Sequence, residues 1–366
     1  MDGWITNSEI EDILSLTSEV AEIKPATTPL EETSSPLLST RMDIASIIFK
    51  NSSTNLYFFS ALTEEPIVNP HPFEFLILEP DFCKSANNSS PFLLVIVHSD
   101  PNHNLFRKAI RDTWGNPNQS RYGLDSGVQM KVLFALGYAP MNLELMKKIG
   151  REHEKFHDII QENFLDSYKN LTYKAVMWMK WVSTHCTAAF QILKVDDDVF
   201  VNRFSLLKSV EKFFDEGIAT TKAITCQLWT DRGVFRDVGS KWYVSKDEYE
   251  DDKYPPYCPG AAYMLSNDLP GIFYEESLRT KFFWIDDVYV TGILRQRVEN
   301  VTYFDIGSRF MGAGNEVVVG ETLFVHLGSS EKLNYVWWEA LLKEHGLPQS
   351  LTRSVKKFDA KVIKLV

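Results

Sequence analysis

Three consecutive carboxylates follow a short apolar run near the middle of the chain. Asp196, Asp197 and Asp198 come directly after the run 190–195 and directly before Val199 to Val201. In open α/β sheets ligands bind at the carboxyl ends of strands, and adjacent carboxylates repel one another unless a cation lies among them. Hard oxygen ligands favour Mg²⁺ or Mn²⁺, which commonly bind a substrate's phosphates as well. The pattern therefore predicts a cation site, with a solvated acidic turn as the alternative.

Two arginines four residues apart precede this cluster in the chain. Arg107 and Arg111 fall on one face of a predicted helix that follows the first apolar run. A helix N-terminus together with two guanidinium groups is a natural site for a diphosphate. The alternative is a surface helix with two solvated arginines.

Two further carboxylates, a histidine and an aromatic loop complete the set of candidate residues. Asp286 and Asp287 stand among apolar and aromatic residues, where desolvation can adjust the pKa of a general base. The alternative is an acidic pair at a helix N-terminus, where the helix dipole favours negative charge. His326 lies in an apolar run and is either a ligand or a core histidine. The loop from Tyr254 to Ala261 is rigid and aromatic, which suits either a sugar ring or a structural turn.

An alternating framework of strands and helices is needed to bring these residues together. Apolar runs predict buried strands, and amphipathic periodicity predicts helices. Alternation of this kind predicts an α/β domain with a mainly parallel sheet flanked by helices. The predicted strands are 92–97, 131–136 and 190–195, and the predicted helices are 104–114, 142–156, 170–185 and 334–345.

The composition confines this framework to the later part of the chain. Residues 1–90 are rich in Ser, Thr, Glu and Pro and predict a flexible acidic tail, with a short amphipathic helix at 5–20. Residues 91–346 then form one folded domain, and residues 347–366 form a C-terminal extension. The chain has 38 basic and 49 acidic residues, a net charge of −11, which argues against a nucleic-acid partner.

Cysteines and glycosylation sequons bear on the compartment. Cys83, Cys186, Cys226 and Cys258 allow three disulfide pairings, and none stands in a CxxC pair. Six Asn-x-Ser/Thr acceptor patterns suggest an oxidising compartment. The apolar runs near the N-terminus are much shorter than the roughly 18–20 residues of a spanning helix. Either the chain is cytosolic, or its anchor is missing from this sequence.

Several motifs occur in an order that resembles one family. The set is similar to the β-1,3-galactosyltransferase and β-1,3-N-acetylglucosaminyltransferase family (glycosyltransferase family 31) over roughly residues 90–330. The motifs are Arg107-x-x-Ile110-Arg111-x-Thr113-Trp114, Val195 to Asn202, Tyr254-Pro255-Pro256-Tyr257-Cys258 and Asp287-Val288-Tyr289-Val290, with further likeness at 157–160, 166–174 and 236–243.

The resemblance implies a GT-A type, Rossmann-like fold and an inverting hexosyltransferase. Its donor would be a UDP-sugar, its cofactor Mn²⁺ or Mg²⁺, and its product a galactose or N-acetylglucosamine joined to the 3-hydroxyl of an acceptor glycan on a glycoprotein or glycolipid. The roles implied are metal binding by Asp198, Asp196 and His326; nucleotide or diphosphate binding by Arg107, Arg111, Lys174, Asp196 and Asp197; base catalysis by Asp287 with Asp286 beside it; and acceptor binding by Trp242, Tyr254 and Tyr257.

The resemblance also implies a place in the cell, the lumenal side of the Golgi membrane, reached through an N-terminal anchor. Two other functions are open: a catalytically inactive glycosyltransferase-like binding or chaperone module, and a glycoside hydrolase that uses two carboxylates. The intact carboxylates argue against the first. The metal-type cluster and the arginine pair argue against the second.

Overall fold

A mixed sheet of eight strands forms the centre of the protein. The computed structural model describes residues 66–84, 91–117, 127–307, 311–312 and 322–348. The strands of this sheet are β1 (Phe75–Ile77), β2 (Phe92–His98), β3 (Gln129–Tyr138), β4 (Ile159–Leu165), β5 (Gln191–Asp196), β7 (Ala223–Cys226), β8 (Ala262–Ser266) and β9 (Thr302–Asp305). Their order is β1-β4-β3-β2-β5-β8-β7-β9, and only β1 and β8 run antiparallel to their neighbours.

Helices cover the sheet and join its parallel strands. They are α1 (Asn104–Asp112), α2 (Leu143–Phe156), α3 (Leu171–His185), α4 (Arg203–Asp215), α5 (Leu269–Leu278) and α6 (Lys332–Glu344), with a π-helix at Val288–Leu294 that continues into a short turn, Arg295–Arg297. The predicted α/β class is confirmed, and each strand and helix predicted from the sequence is found with its bounds within two residues. The helix predicted at 5–20 lies outside the described residues.

The strand β2 lies at the middle of the sheet because its side chains are apolar on both faces. Leu93 to Val97 are completely buried, as expected for a strand covered by helices on both sides. Strand β2 runs parallel to β3 and to β5, and His98 at its end pairs with Asp196 at the end of β5. The ends of these two neighbouring strands therefore open onto one edge of the sheet.

A second, smaller sheet lies after the carboxylate cluster. It contains β6 (Val199–Val201), β10 (Met311–Gly312) and β11 (Phe324–His326), in the order β10-β11-β6. Strands β6 and β11 are antiparallel, and their register places His326 opposite Val199. His326 is thus brought beside Asp198, although it lies more than a hundred positions further along the chain.

Part of the predicted tail belongs to the domain. Residues 66–84 were assigned to a tail that ends at residue 90, but β1 within them pairs with β4. His71 Nε2 lies 2.6 Å from Glu162 Oε2, and Lys180 Nζ donates to Glu162 Oε1 at 2.9 Å. Composition missed this segment because its anchoring depends on a carboxylate 91 residues away.

Two disulfides select one of the three pairings that spacing left open. Cys83 is bonded to Cys186, and Cys226 is bonded to Cys258. The first joins the N-terminal segment to the end of α3. The second joins the end of β7 to the loop before β8. Across the described ranges, every helix is too short or too polar to traverse a lipid bilayer.

The buried contact between His71 and Glu162 predicts a stability effect. We expect His71→Ala to lower the free energy of unfolding by about 1–3 kcal/mol, because it leaves Glu162 Oε2 buried without its partner. Urea unfolding measures the change. Leu76→Ala, on the exposed side of β1, is the matched control and should shift stability by less than about 0.5 kcal/mol. Equal losses in the two variants would show that the His71 contact contributes nothing specific.

Candidate active site

An open cleft lies where β2 and β5 end. Its volume is about 230 Å³. Its walls come from the loop after β2, the loop after β4 with the start of α3, and the three carboxylates after β5. The lining residues are His98, Ser99, Asp100, His103, Asp166, Ser167, Tyr168, Leu171, Lys174, Asp196, Asp197 and Asp198. The carboxylate cluster thus lies at the strand ends that border the cleft, the position predicted from the sequence.

The middle carboxylate of the cluster is bound by protein groups. Ser99 Oγ donates to Asp197 Oδ2 at 2.6 Å, and His103 Nδ1 lies 3.0 Å from the same oxygen. The hydrogen bond to Asp197 is the largest cause that raises the pKa of His103 above its usual value. Asp197 joins the loop after β2 to the end of β5, and its contact with the cofactor stays a prediction.

The last carboxylate of the cluster faces a histidine. Asp198 Oδ2 lies 3.2 Å from His326 Nε2, and the Leu327 N–H donates to the Asp198 carbonyl at 2.7 Å. The contact with Asp198 raises the pKa of His326. Both side chains are partly exposed. One imidazole nitrogen and one carboxylate oxygen are thus brought together at the cleft by the pairing of β6 with β11.

A buried lysine lies beneath the carboxylates. Lys194 Nζ donates to Asp196 Oδ1 at 2.7 Å and to the Gly260 carbonyl, and it lies 3.8 Å from Asp286 Oδ2. Burial raises the pKa of Asp196 to about 7, and the charge of Lys194 opposes that rise. Lys194 is a buried cation of the site. Its role could not be predicted from the sequence.

The second carboxylate pair lies at the start of the π-helix. Asp287 Oδ2 accepts from the Gly260 N–H at 2.8 Å, and Oδ1 accepts from the Val288 N–H at 2.8 Å. Burial, and then the charge of Asp286, raise the pKa of Asp287 to about 7. A Cβ at position 260 would lie 3.3 Å from Asp287 Oδ2, so glycine permits this approach. Asp287 is held as an oriented carboxylate that takes up a proton near neutral pH.

Asp286 faces a buried histidine that the sequence did not reveal. Trp178 Nε1 donates to His98 Nε2 at 2.9 Å, so the proton of the neutral ring is assigned to Nδ1. That nitrogen lies 3.7 Å from Asp286 Oδ2, and both atoms are buried without a hydrogen-bond partner in the described chain. Burial lowers the pKa of His98 well below its usual value. Its position at the end of a buried strand was the available sequence signal.

Lys174 lies in the cleft wall. Its Nζ donates to the Ser99 carbonyl at 2.7 Å and lies 2.9 Å from Asp166 Oδ2. Asp166 in turn accepts from the Gly137 N–H at 2.6 Å. Lys174 is buried and joins α3, the loop after β2 and the end of β3 behind the cleft wall.

The two arginines bind protein carboxylates and do not line the cleft. Arg107 is fully buried and donates through Nε and Nη2 to both carboxylate oxygens of Glu152, each at 2.8 Å. It also donates to the Asp100 carbonyl at 2.7 Å. Arg111 binds both carboxylate oxygens of Asp158, at 2.7 and 2.8 Å. Arg107 thus supports the loop after β2, and direct contact of the two arginines with a diphosphate stays a prediction.

The three aromatic residues expected at an acceptor site differ in exposure. Tyr254 and Tyr257 are 5% and 6% exposed and belong to the core, because their rings pack against each other. Trp242 is 40% exposed. Its Nε1 donates to the Tyr168 hydroxyl at 2.9 Å, and its ring lies 5.3 Å from the Phe235 ring. The exposed aromatic surface is therefore formed by Trp242, Phe235 and Tyr168, and Tyr168 also lines the cleft.

Comparison with known proteins assigns the family. The sequence profile described as Galactosyltransferase matches residues 106–303. Beta-1,3-galactosyltransferase 1 of Mus musculus and of Homo sapiens are each 34% identical over 288 residues, 78% of this chain and 84% of the relative. Beta-1,3-galactosyltransferase 2 of Homo sapiens is 35% identical over 223 residues, 61% of this chain and 50% of that protein.

The chain belongs to the galactosyltransferase family. The matched range of this family contains the Asp196–Asp198 cluster, Asp286 and Asp287, and it ends before His326. A solved structure of the galactosyltransferase LgtC, in complex with donor and acceptor sugar analogues, is 11% identical in sequence. The superposition covers 74% of this chain and 99% of that structure, with a TM-score of 0.35. A score of this size adds nothing to the assignment. The protein is a glycosyltransferase.

Proposed function

We propose that this galactosyltransferase-family member transfers galactose from UDP-galactose to the 3-hydroxyl of an acceptor glycan, with inversion at the anomeric carbon. The observation that carries the proposal is Asp287, which is oriented by two backbone N–H groups and has a pKa raised to about 7 beside the carboxylate cluster. The names of the relatives favour galactose over N-acetylglucosamine as the sugar transferred.

The proposed base serves the acceptor hydroxyl. A sugar hydroxyl is a weak acid, so it loses its proton as the new bond forms, and a positioned carboxylate is sufficient to accept that proton. The hydroxyl oxygen attacks the anomeric carbon from the face opposite the departing UDP. The proton moves to Asp287, the bond to UDP breaks, and the product carries a β-linkage. Asp286, held between Lys194 and His98, supplies the charge that keeps Asp287 basic.

The residues present beside the cleft fit a divalent cation. Asp198 and His326 would hold Mn²⁺ or Mg²⁺ through one carboxylate oxygen and one imidazole nitrogen, a combination that Mn²⁺ accepts. Bound there, the ion would neutralise charge on the diphosphate leaving group. Asp196, with its side chain 39% exposed, is the third candidate ligand, and its link to Lys194 fixes its position.

The donor contacts are proposed for the wall around Lys174. Its ammonium group is buried behind the cleft wall beside Ser99 and Asp166, and its positive charge would act on the UDP diphosphate through that wall. Arg107 contributes by holding Ser99 and Asp100 in the loop after β2, and Glu152, which also binds Arg111, fixes its guanidinium group. Removal of Arg107 would displace Ser99 and Asp100 from the cleft wall.

The acceptor is proposed to stack on the exposed aromatic surface. Trp242, Phe235 and Tyr168 form an exposed aromatic surface that reaches the cleft at Tyr168. The apolar face of a pyranose packs well on such rings. We assign the acceptor, a glycan on a glycoprotein or glycolipid, to this surface and withdraw Tyr254 and Tyr257 from direct contact.

The proposed location is the lumenal side of the Golgi membrane, reached through a membrane anchor. Two disulfides, Cys83–Cys186 and Cys226–Cys258, fit an oxidising compartment, as the sequons do. Among the described sequons, Asn300 is exposed in the turn before β9.

Removal of the proposed base tests the function directly. We expect Asp287→Asn to keep the affinity for UDP-galactose and to lose turnover by a factor of about 10² or more. The reason is that no positioned base remains to take the proton of the attacking sugar hydroxyl. UDP release and a donor-binding titration measure the two quantities. Asp286→Asn is the matched control and should lose less. Collapse of donor binding in both variants would place this carboxylate pair in the nucleotide site and contradict the proposal.

The raised pKa of Asp287 predicts a pH dependence. Since the base acts when deprotonated, kcat/KM should fall as the pH drops through about 7 and level off above it. Asp286→Asn removes a negative neighbour that raises this pKa, so the acidic limb should move to lower pH. A pH profile of both proteins measures the midpoint. An unmoved midpoint, or one moved upward, would show that another group controls the limb.

The aromatic surface predicts a change in acceptor affinity. Trp242→Ala should raise the KM for the acceptor about 3–10-fold, since a lost aromatic stacking contact corresponds to roughly 1 kcal/mol. The donor KM should be unaffected. Trp242→Phe, which keeps a ring, should recover most of the affinity, and Tyr254→Phe, in the core, should leave both constants unchanged. A rise in the donor KM alone would move Trp242 to the nucleotide side.

A further inference from the structure

A second set of metal-type ligands lies outside the cleft. Glu79, His153 and His157 each place one ligand atom within 4.8 Å of the other two. Glu79 belongs to the N-terminal segment, between β1 and Cys83. His153 lies in the last turn of α2, and His157 is the residue that ends this helix. We propose that these three side chains form a Zn²⁺ site that fastens the N-terminal segment to α2.

The distances suit a tetrahedral ion. Glu79 Oε1 lies 3.0 Å from His157 Nδ1 and 3.2 Å from His153 Nδ1. Ligands about 2.0–2.1 Å from a tetrahedral Zn²⁺ are about 3.3–3.4 Å from one another. The two separations from Glu79 are within a few tenths of an ångström of that value, and all three ligand atoms lie within 4.8 Å of one another.

An unsatisfied nitrogen supplies an independent reason. His153 Nδ1 is buried, and in the described chain it has no hydrogen-bond partner. The nearby Glu79 Oε1 is already bound by His157 Nδ1, and at 3.2 Å the contact with His153 is not aligned as a hydrogen bond. A buried nitrogen without a partner is unfavourable. Coordination by a cation would satisfy that nitrogen and the shared carboxylate oxygen together.

The ligand types select the ion. Two imidazole nitrogens and one carboxylate are the ligands of many three-residue Zn²⁺ sites, in which water takes the fourth position. Mg²⁺ prefers an all-oxygen octahedral shell. His157 has a side chain 67% exposed, so solvent reaches the cluster and the fourth position can hold water.

The remaining histidines do not form a comparable set. All eight histidines of the chain lie in the described ranges. The other carboxylate contacts involve one imidazole each: His71 with Glu162, His103 with Asp197, His98 with Asp286, and His326 with Asp198. The four cysteines are all in disulfides. Zinc binding by the described residues should therefore divide between this cluster and the cleft.

The position of the cluster gives the ion a structural role. Glu152 precedes His153 in α2 and binds both Arg107 and Arg111. A cation at the end of α2 would hold the helix that carries this carboxylate against the N-terminal segment. It would thereby steady the arginines that support the loop after β2, at a site independent of the proposed transfer reaction.

Zinc titration of the full chain tests the proposal. The chelator-stripped protein is titrated with Zn²⁺ in excess Mg²⁺ by calorimetry, and Co²⁺ is added in a parallel sample to record its tetrahedral visible spectrum. The wild type should bind one equivalent more than His157→Ala or His153→Ala. Glu79→Gln should weaken the zinc affinity of that equivalent at least about tenfold, since even changes in outer-shell residues lower metal affinity about 10–100-fold. The zinc-dependent rise in Tm should disappear with the same variants.

Two control variants separate this site from the cleft. Glu154→Gln, an exposed carboxylate on α2, should leave zinc binding unchanged. Asp198→Ala should keep the equivalent assigned to the cluster even though it removes a proposed cleft ligand. Equal zinc binding in the wild type and in His157→Ala would overturn the proposal. So would loss of all zinc binding in Asp198→Ala, which would assign the ion to the cleft. Neither readout depends on transferase activity.

Discussion

The candidate site depends on one buried cation. Lys194 lies beneath the cleft, with Asp196, Asp286 and the Gly260 carbonyl around its ammonium group. Without it, carboxylates from two distant parts of the chain would be brought together in a poorly solvated place, where like charges repel strongly. Its charge permits the end of β5 and the start of the π-helix to meet. The same charge lowers the pKa of Asp287 and so opposes burial and the charge of Asp286, which together raise that pKa to about 7.

The cleft wall is held by polar contacts that connect separate elements of the sheet. Asp197 joins the loop after β2 to β5, and Lys174 joins that loop to α3 and, through Asp166, to the end of β3. Arg107 braces the loop from behind through Glu152. Each side chain is charged, yet its partners are supplied by the protein. Because these contacts fix the cleft wall before a substrate binds, less conformational entropy is lost on binding.

Much of the fold and part of the site could be predicted because the signals are local. An apolar run that ends in Asp196 places that carboxylate at a strand end whatever the rest of the chain does. The features that local signals miss are partners far away in sequence. Arg107 resembles a phosphate ligand until Glu152, 45 residues on, is seen to bind it. Tyr254 resembles a platform until the core closes over it. The strand β1 and the role of His98 likewise follow only from tertiary contacts.

The Cys226–Cys258 disulfide has a consequence for when the protein becomes competent. Cys258 lies two residues before Gly260, whose N–H orients Asp287, and the Cys258 N–H donates to the Thr291 hydroxyl, which donates to the Asp287 carbonyl. Closure of this covalent bridge therefore restrains the loop and the helix that set the direction of the carboxylate. The sheet can assemble from its apolar strands beforehand. In the proposed lumenal location the chain would then acquire its shape first and its chemical ability later, with oxidation of this cysteine pair as the maturation step that separates the two.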